Sequence, residues 1–195
     1  MNDPLEGTDD AATPLTPEEQ QDLVPSYISL RRELNEAEQA SILEAEQWAF
    51  ARRRNVLDLQ FLSNLHKRMF GHVWRWAGKF RDTERNIGVA PAQIRPDLQQ
   101  LVGDSNYWIK VGTYPPDAIA ARFHHRLTRI HPFPNGNGRH ARLATDLLLS
   151  SLGRPRFSWG RENLVDATQT RKTYVVALRA ADQHDFGPLL GFVRS

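Results

Sequence analysis

The chain has 195 residues, of which 40% are hydrophobic, and its net charge is only +2. This size predicts one compact domain with an N-terminal extension, and the balanced charge gives no reason to expect direct binding of nucleic acid. The absence of cysteine excludes disulfides, zinc ribbons and thiol catalysis. The acidic N-terminus lacks the pattern of a signal peptide and no apolar run approaches ~20 residues, so we expect a cytoplasmic protein without a membrane span.

The first 55 residues are predicted to form a tail and short helices. Residues 1–14 are acidic and rich in turn formers, which indicates a flexible tail, and 15–55 hold the helices. Thr-Pro-Glu-Glu at 16–19 is typical of a helix start. Residues 26–35 fit one short helix, and Asn35 with Glu38 is predicted to cap the next one.

The remainder, 56–195, has mainly helical periodicity. Between the first two of these helices, residues 83–91 have local strand character bounded by glycine and proline. The pattern therefore predicts an all-α bundle with one small β element. The predicted helices are 56–70, one beginning at 96, one ending at 130, one through 143–148, one through 174–181 and one beginning at 188.

A short loop joins the two central helices, and its sequence from His131 is HPFPNGNGRHAR. Successive amides in a glycine-rich turn at a helix N-terminus form an anion site, which we assign to Gly136, Asn137 and Gly138. Two arginines, Arg139 and Arg142, lie three residues apart and suit a polyphosphate.

His131 is the residue of this loop that can accept a proton near neutral pH. An anion site, two guanidinium groups and a base together favour phosphoryl or nucleotidyl transfer. Phe133 is predicted to be structural, because a phenylalanine here can anchor the loop in the core.

These twelve residues resemble the Fic signature, HPFx(D/E)GNGRxxR, and every fixed position matches except Asn135, where the family has Asp or Glu. The resemblance extends over most of the chain and is closest to the subfamily called mobile mystery protein B. It implies a Fic-type helical bundle with a β-hairpin flap at Asn86, Ile87, Gly88 and Val89, which docks the side chain of a target protein.

The same resemblance implies transfer of AMP from ATP to a Ser, Thr or Tyr hydroxyl of a target protein. His131 would be the base and Arg142 would reach the γ-phosphate. Mg²⁺, or Mn²⁺ in its place, would be held at position 135, where the amide of Asn135 supplies an oxygen but no charge.

One class of Fic proteins carries an inhibitory helix with the pattern (S/T)xxxE(G/N). Ser29 and Glu33 resemble it, although Leu34 follows the glutamate. This implies that Glu33 pairs with Arg142 in place of the γ-phosphate. The alternative is a surface carboxylate among arginines.

Two other functions stay open. The first is a catalytically silent Fic module that binds a partner, which the subfamily resemblance implies to be a small helix-turn-helix protein in a toxin–antitoxin-like pair. The second is transfer of a different phosphate-containing group. The sequence does not predict the oligomeric state.

Overall fold

The computed structural model describes residues 21–28, 30–161 and 167–195. Within these ranges the chain forms seven α-helices, which agrees with the predicted helical class. None of them combines the length and apolar character that crossing a bilayer requires. The predicted tail at 1–14, the helix start at 16–19 and Ser29 lie outside the described residues. The helices are α1 (Arg31–Phe50), α2 (Leu59–Phe70), α3 (Ile94–Val111), α4 (Pro116–Ile130), α5 (Asn137–Ser151), α6 (Ala167–Asp182) and α7 (Gly187–Arg194).

Helix α1 corrects the predicted break at Asn35. The helix begins at Arg31 and passes through Asn35, which is exposed in its interior. The reason is a continuous buried stripe at helical spacing, formed by Leu34, Glu38, Ser41, Ala45 and Ala49. Interrupting this stripe at Asn35 would expose its first turn, so packing outweighs the local capping signal.

Helices α1 to α5 build the larger core. Helix α1 packs on α2, α4 packs on α5, and α2 also contacts α5. The sharp entry into α5 uses Gly136, whose φ is 75°. A Cβ atom there would lie 2.6 Å from the Phe70 ring of α2, so the loop approaches α2 as closely as a glycine allows.

The predicted β-hairpin at 83–91 is not confirmed. Residues 79–90 contain bends but no helix or strand, and a 3₁₀ turn at Pro91–Gln93 leads into α3. We call residues 83–89 the flap segment. An isolated β-bridge joins Leu23 to Trp74.

A smaller core lies where α6 and α7 pack together and α7 packs against α4. It includes Phe157, Trp159 and Tyr174. His125 of α4 belongs to this region: it is buried and pairs with Asp182 at 2.8 Å. The carboxylate of Asp182 gives the imidazole a polar partner, which permits its burial.

Replacing Gly136 by alanine tests the close approach of the loop to α2. We expect Gly136→Ala to lower the free energy of unfolding by about 2–4 kcal/mol, because the methyl group meets Phe70 and the left-handed backbone disfavours a side chain. Gly103 in α3 has open space where a methyl group would lie, with no atom within 4 Å, so Gly103→Ala is the matched control. It should raise stability by about 0.5–1 kcal/mol. The measurement is the free energy of unfolding in urea for both variants. Equal changes in the two variants would contradict the close approach of the loop to α2.

Buried histidines should make the fold acid-sensitive. Burial lowers the pKa of His124 to about 3 and that of His140 to about 4. Unfolded histidine has a pKa near 6.5, so as the pH falls from about 6.5 to 4 the unfolded chain binds protons that the folded chain does not, and stability falls. Asp146 acts in the opposite direction, because burial raises its pKa to about 6.

We expect a net loss on the order of 1–3 kcal/mol between pH 7 and pH 5, measured by urea unfolding. His140 Nε2 lies 2.9 Å from the Leu62 carbonyl, so His140→Gln can keep a donor there and should reduce the pH slope. The control His72→Gln changes an exposed residue and should leave the slope unaltered. A stability that does not change with pH would contradict the burial of uncharged imidazoles.

Candidate nucleotide-binding site

The loop between α4 and α5 is anchored by Phe133. Its side chain is fully buried and stacks on His66 of α2 at 3.7 Å between ring centroids. Phe80 and His140 pack on it at 5.6 and 5.0 Å. The structure therefore places Phe133 where a structural anchor belongs.

Two side chains fix the backbone of the loop. Asn137 Oδ1 accepts from the Phe133 amide at 2.9 Å, and its Nδ2 donates to the Phe133 carbonyl at 2.8 Å. His66 accepts from the Gly78 amide through Nδ1, so its Nε2 carries the proton and donates to the Asn135 carbonyl, both at 3.0 Å. Burial lowers the pKa of His66 well below its usual value, which is consistent with this neutral tautomer.

The predicted anion site is present in part. The amide of Gly136 donates to Asn135 Oδ1 at 2.6 Å, so the loop itself uses it. The first bond of the α5 ladder runs from the His140 amide to the Gly136 carbonyl at 2.9 Å. The amides of Asn137, Gly138 and Arg139 precede that bond, and among the described residues they have no acceptor. Three donors at the positive end of a helix can bind an anion.

Arg139 is already paired with a carboxylate of α1. Its Nη1 binds Glu38 Oε2 at 2.5 Å, and the Trp74 indole donates to Glu38 Oε1 at 2.7 Å. Glu38 is buried, whereas nearly half of the Arg139 side chain is exposed. An anion at α5 would therefore meet an arginine whose orientation α1 already controls.

Arg142 points to the smaller core. Its guanidinium lies 5.0 Å from the Tyr174 ring centroid and 5.8 Å from that of Trp159. Its Nε is buried and has no hydrogen-bond partner among the described residues. A buried guanidinium nitrogen of this kind is a donor that a bound anion can satisfy.

Glu33 lies in the first turn of α1, half-buried, and its carboxylate accepts from the Leu30 amide at 3.1 Å. This bond satisfies one of the unpaired amides at the helix start. Glu33 is therefore on the same helix as Glu38, which contacts the α5 arginine, and α1 packs against α5.

His131 ends α4 in a left-handed conformation with φ 53° and ψ 60°. Burial, followed by the charges of Arg81 and Arg85, lowers its pKa to about 4, although the hydrogen bond with the Thr128 backbone acts in the opposite direction. The imidazole is consequently neutral at pH 7 and able to accept a proton. A bound polyphosphate would raise this pKa, because an anion stabilises the imidazolium.

The flap segment lies against His131. A Cβ atom on Gly88 would come within 2.7 Å of His131 Cβ, and the Val89 amide bonds the Ile130 carbonyl at 3.4 Å. Asn86 and Ile87 are exposed at its tip. The four predicted flap residues thus adjoin the loop without forming a strand.

A protein-held metal does not fit the residues present. Asn135 Oδ1, the oxygen assigned to Mg²⁺, is occupied by the Gly136 amide. In the described part of the chain, no three His, Asp or Glu side chains converge where an ion could be bound. An amide oxygen in this position gives a divalent cation one neutral ligand at most.

A cleft of about 660 Å³ opens beside the flap segment, lined among others by Gln60, Lys79, Phe80, Arg81 and Arg95. Its lining includes neither His131 nor the amides of α5. The predicted anion site at the start of α5, where Asn137 is buried and Gly138 is half-buried, is therefore not part of this cleft.

Sequence reasoning missed three residues that shape the site: Arg81, His66 and Glu38. The signal for Glu38 was present, because a carboxylate falls on the apolar stripe of α1. His66 likewise lies next to Leu65 on the buried face of α2. For Arg81 the sequence offers only its place after the aromatic run of Trp74, Trp76 and Phe80.

Comparison with known proteins supports the assignment of the motif. The Fic/DOC family pattern matches residues 56–149. A protein adenylyltransferase Fic from Drosophila grimshawi is 30% identical over 141 residues, which is 70% of this chain and 28% of that protein. One from Aedes aegypti is 28% identical over 145 residues. The chain thus spans little more than a quarter of these relatives' length.

Solved structures share the fold. BepC from Bartonella tribocorum, crystallised with AMPPNP, aligns with a TM-score of 0.66 at 19% identity and covers 92% of this chain and 97% of its own. A Fic domain from Bartonella quintana with bound ADP has a TM-score of 0.68 at 19% identity, covering 87% and 86%. These structures show that the chain shares their fold, and the match to the Fic/DOC family lies at residues 56–149, which include the motif at 131–142.

Proposed function

We propose that this chain transfers AMP from ATP to a hydroxyl group of a target protein. The observation that carries the proposal is a neutral, buried His131 six residues before three amides of α5 that have no acceptor among the described residues. Relatives named protein adenylyltransferase, and a structural neighbour crystallised with AMPPNP, support it.

In this reaction the hydroxyl oxygen of the target attacks the α-phosphorus of ATP. The bond between the α-phosphorus and the oxygen that links it to the β-phosphate breaks, and pyrophosphate leaves with that oxygen. His131 accepts the hydroxyl proton. The amides of Asn137, Gly138 and Arg139 bind the phosphates, and the buried Arg142 Nε is a further donor. Arg139 contributes while bridged to Glu38, which leaves its other guanidinium nitrogens for the anion.

Glu33 is our proposed inhibitory residue, with Ser29 as its partner in the motif. Its support is the packing of α1 against α5 and the contact that Glu38 of the same helix makes with Arg139. A carboxylate near Arg142 would compete with the γ-phosphate for the same guanidinium. The flap segment would hold the target backbone, and a cytoplasmic location follows the sequence expectation.

A second function is a silent module that binds a partner, such as a helix-turn-helix protein of the mobile mystery protein B arrangement. The observation that favours it is Asn135, whose oxygen is bonded to its own loop instead of being left for a metal. Transfer of another phosphate-containing group is a variant of the first proposal.

Labelled ATP separates these functions. Wild type, Glu33→Ala and the double variant Glu33→Ala/His131→Ala are incubated with cell lysate, Mg²⁺ or Mn²⁺, and ATP labelled at the α- or γ-phosphate. We expect α-label on protein to increase in Glu33→Ala and to fall about 10²- to 10⁴-fold in the double variant, because the base is lost.

The matched control is Glu36→Ala, which removes an exposed carboxylate from the same helix and should behave as wild type. Label from the γ-position would indicate phosphorylation. Label from neither position, with either metal, would contradict group transfer and favour the binding module.

A carboxylate at residue 135 tests whether this position adjoins a metal–nucleotide complex. Asn135→Asp adds a charge beside the phosphates, so we expect half-maximal activity at a lower Mg²⁺ concentration, by about tenfold. Asn64→Asp on the exposed face of α2 adds the same charge elsewhere and is the control. Unchanged Mg²⁺ dependence in Asn135→Asp would show that this position does not face the metal–nucleotide complex.

A further inference from the structure

Arg81 is a buried arginine whose guanidinium group donates to a set of backbone carbonyls. Its side chain is almost fully buried. Nε donates to the His131 carbonyl at 2.7 Å, and Nη1 donates to the Thr83 carbonyl at 2.9 Å. Nη2 donates to the carbonyls of Val89 and Ile130. All three guanidinium nitrogens therefore donate hydrogen bonds to backbone carbonyls.

These acceptors come from two separate segments. Thr83 and Val89 are the two ends of the flap segment, whereas Ile130 and His131 form the C-terminal end of α4. Helix ends leave carbonyls without partners, and a cation there is favoured by the helix dipole. Arg81 therefore caps α4 and closes the flap segment with one side chain.

Backbone contacts reinforce the same junction. The Arg81 amide donates to the Pro132 carbonyl at 3.0 Å, on the other side of His131. Gly88 has φ 103°, and a Cβ there would lie 2.7 Å from both Arg81 Nη2 and His131 Cβ. His131 itself has the left-handed conformation that residues other than glycine adopt only when their surroundings enforce it.

We propose that Arg81 is a positioning residue that holds the flap segment and the His131 backbone as one unit. Arg81 thereby fixes both the orientation of the His131 imidazole and the position of the flap segment, which would contact the target. The proposal deepens the AMP-transfer function proposed above and rests on it for its catalytic meaning. The geometry requires a fork: a lysine ammonium cannot reach four carbonyls in these directions.

The test compares Arg81→Lys, which keeps the charge, with Arg81→Met, which removes it. The controls are Arg95→Lys and Arg95→Met, because Arg95 is an exposed arginine near the same segment, above the Phe80 ring. The first readout is tryptic cleavage after Arg85 within the flap segment. We expect cleavage to be at least tenfold faster in both Arg81 variants than in the controls.

The second readout is NMR of the protein with labelled histidine, without nucleotide, with the His131 signal assigned from a His131→Asn spectrum. Both Arg81 variants should move the His131 Cα shift away from its left-handed value, and Arg81→Met should also raise the pKa of His131. Neither measurement uses ATP or a target protein, so both test this proposal even if the chain does not transfer AMP. If AMP transfer occurs, Arg81→Lys should lower kcat at least tenfold with little change in KM for ATP.

Gly88→Ala provides an independent variant if the Arg81 variants do not fold. Its methyl group separates the flap segment from His131 while Arg81 is retained. Gly112→Ala is its matched control, since Gly112 has φ 69° and nothing within 4 Å of a methyl position. We expect faster cleavage and a shifted His131 signal in Gly88→Ala alone. Arg81 and Gly88 variants that match their controls in both readouts would overturn the proposal.

Discussion

The site depends on the two hydrogen bonds that the Asn137 side chain makes with the backbone of Phe133. They close the loop on itself and hold Phe133 in the core. Breaking either bond would leave a buried polar group without a partner, which costs about 1–3 kcal/mol. The residue that the motif suggested as part of an anion site therefore has a structural side chain and offers only its backbone amide to a ligand.

Around this loop, uncharged histidines take roles that charged groups could not. His66 stacks on Phe133 and carries a hydrogen bond from the Gly78 amide to the Asn135 carbonyl, which connects α2 with the loop. His140 bonds the Leu62 carbonyl from within α5. Burial keeps both pKa values low, so both rings are uncharged at neutral pH. Protonation of His66 at Nδ1 would remove the acceptor of the Gly78 amide. The same environment leaves His131 neutral.

Charged residues enter the site from other elements, each with a defined partner. Glu38 of α1 orients Arg139 and is itself fixed by Trp74. Arg81 joins the flap segment to the end of α4. Glu38 and Arg81 are buried, and hydrogen bonds are stronger and unpaired polar groups more costly there than at the surface. A ligand at α5 would meet groups whose directions are already set.

The sequence by itself determined the helical class, the motif at 131–142 and the buried role of Phe133, because each depends on local spacing or on residue types close together in the chain. It placed a break at Asn35, since a capping residue is a local signal, whereas the burial of the α1 stripe against α2 decides the helix. Local strand character at 83–91, with the family resemblance, favoured a β-hairpin that the structure does not confirm; residues 79–90 contain no strand, and the segment contacts Arg81 and His131. Only the tertiary structure brought His66 to Asn135, Arg81 to His131 and Glu38 to Arg139, across 69, 50 and 101 residues of chain. Such contacts follow from how whole helices pack, and no local pattern of residues encodes them.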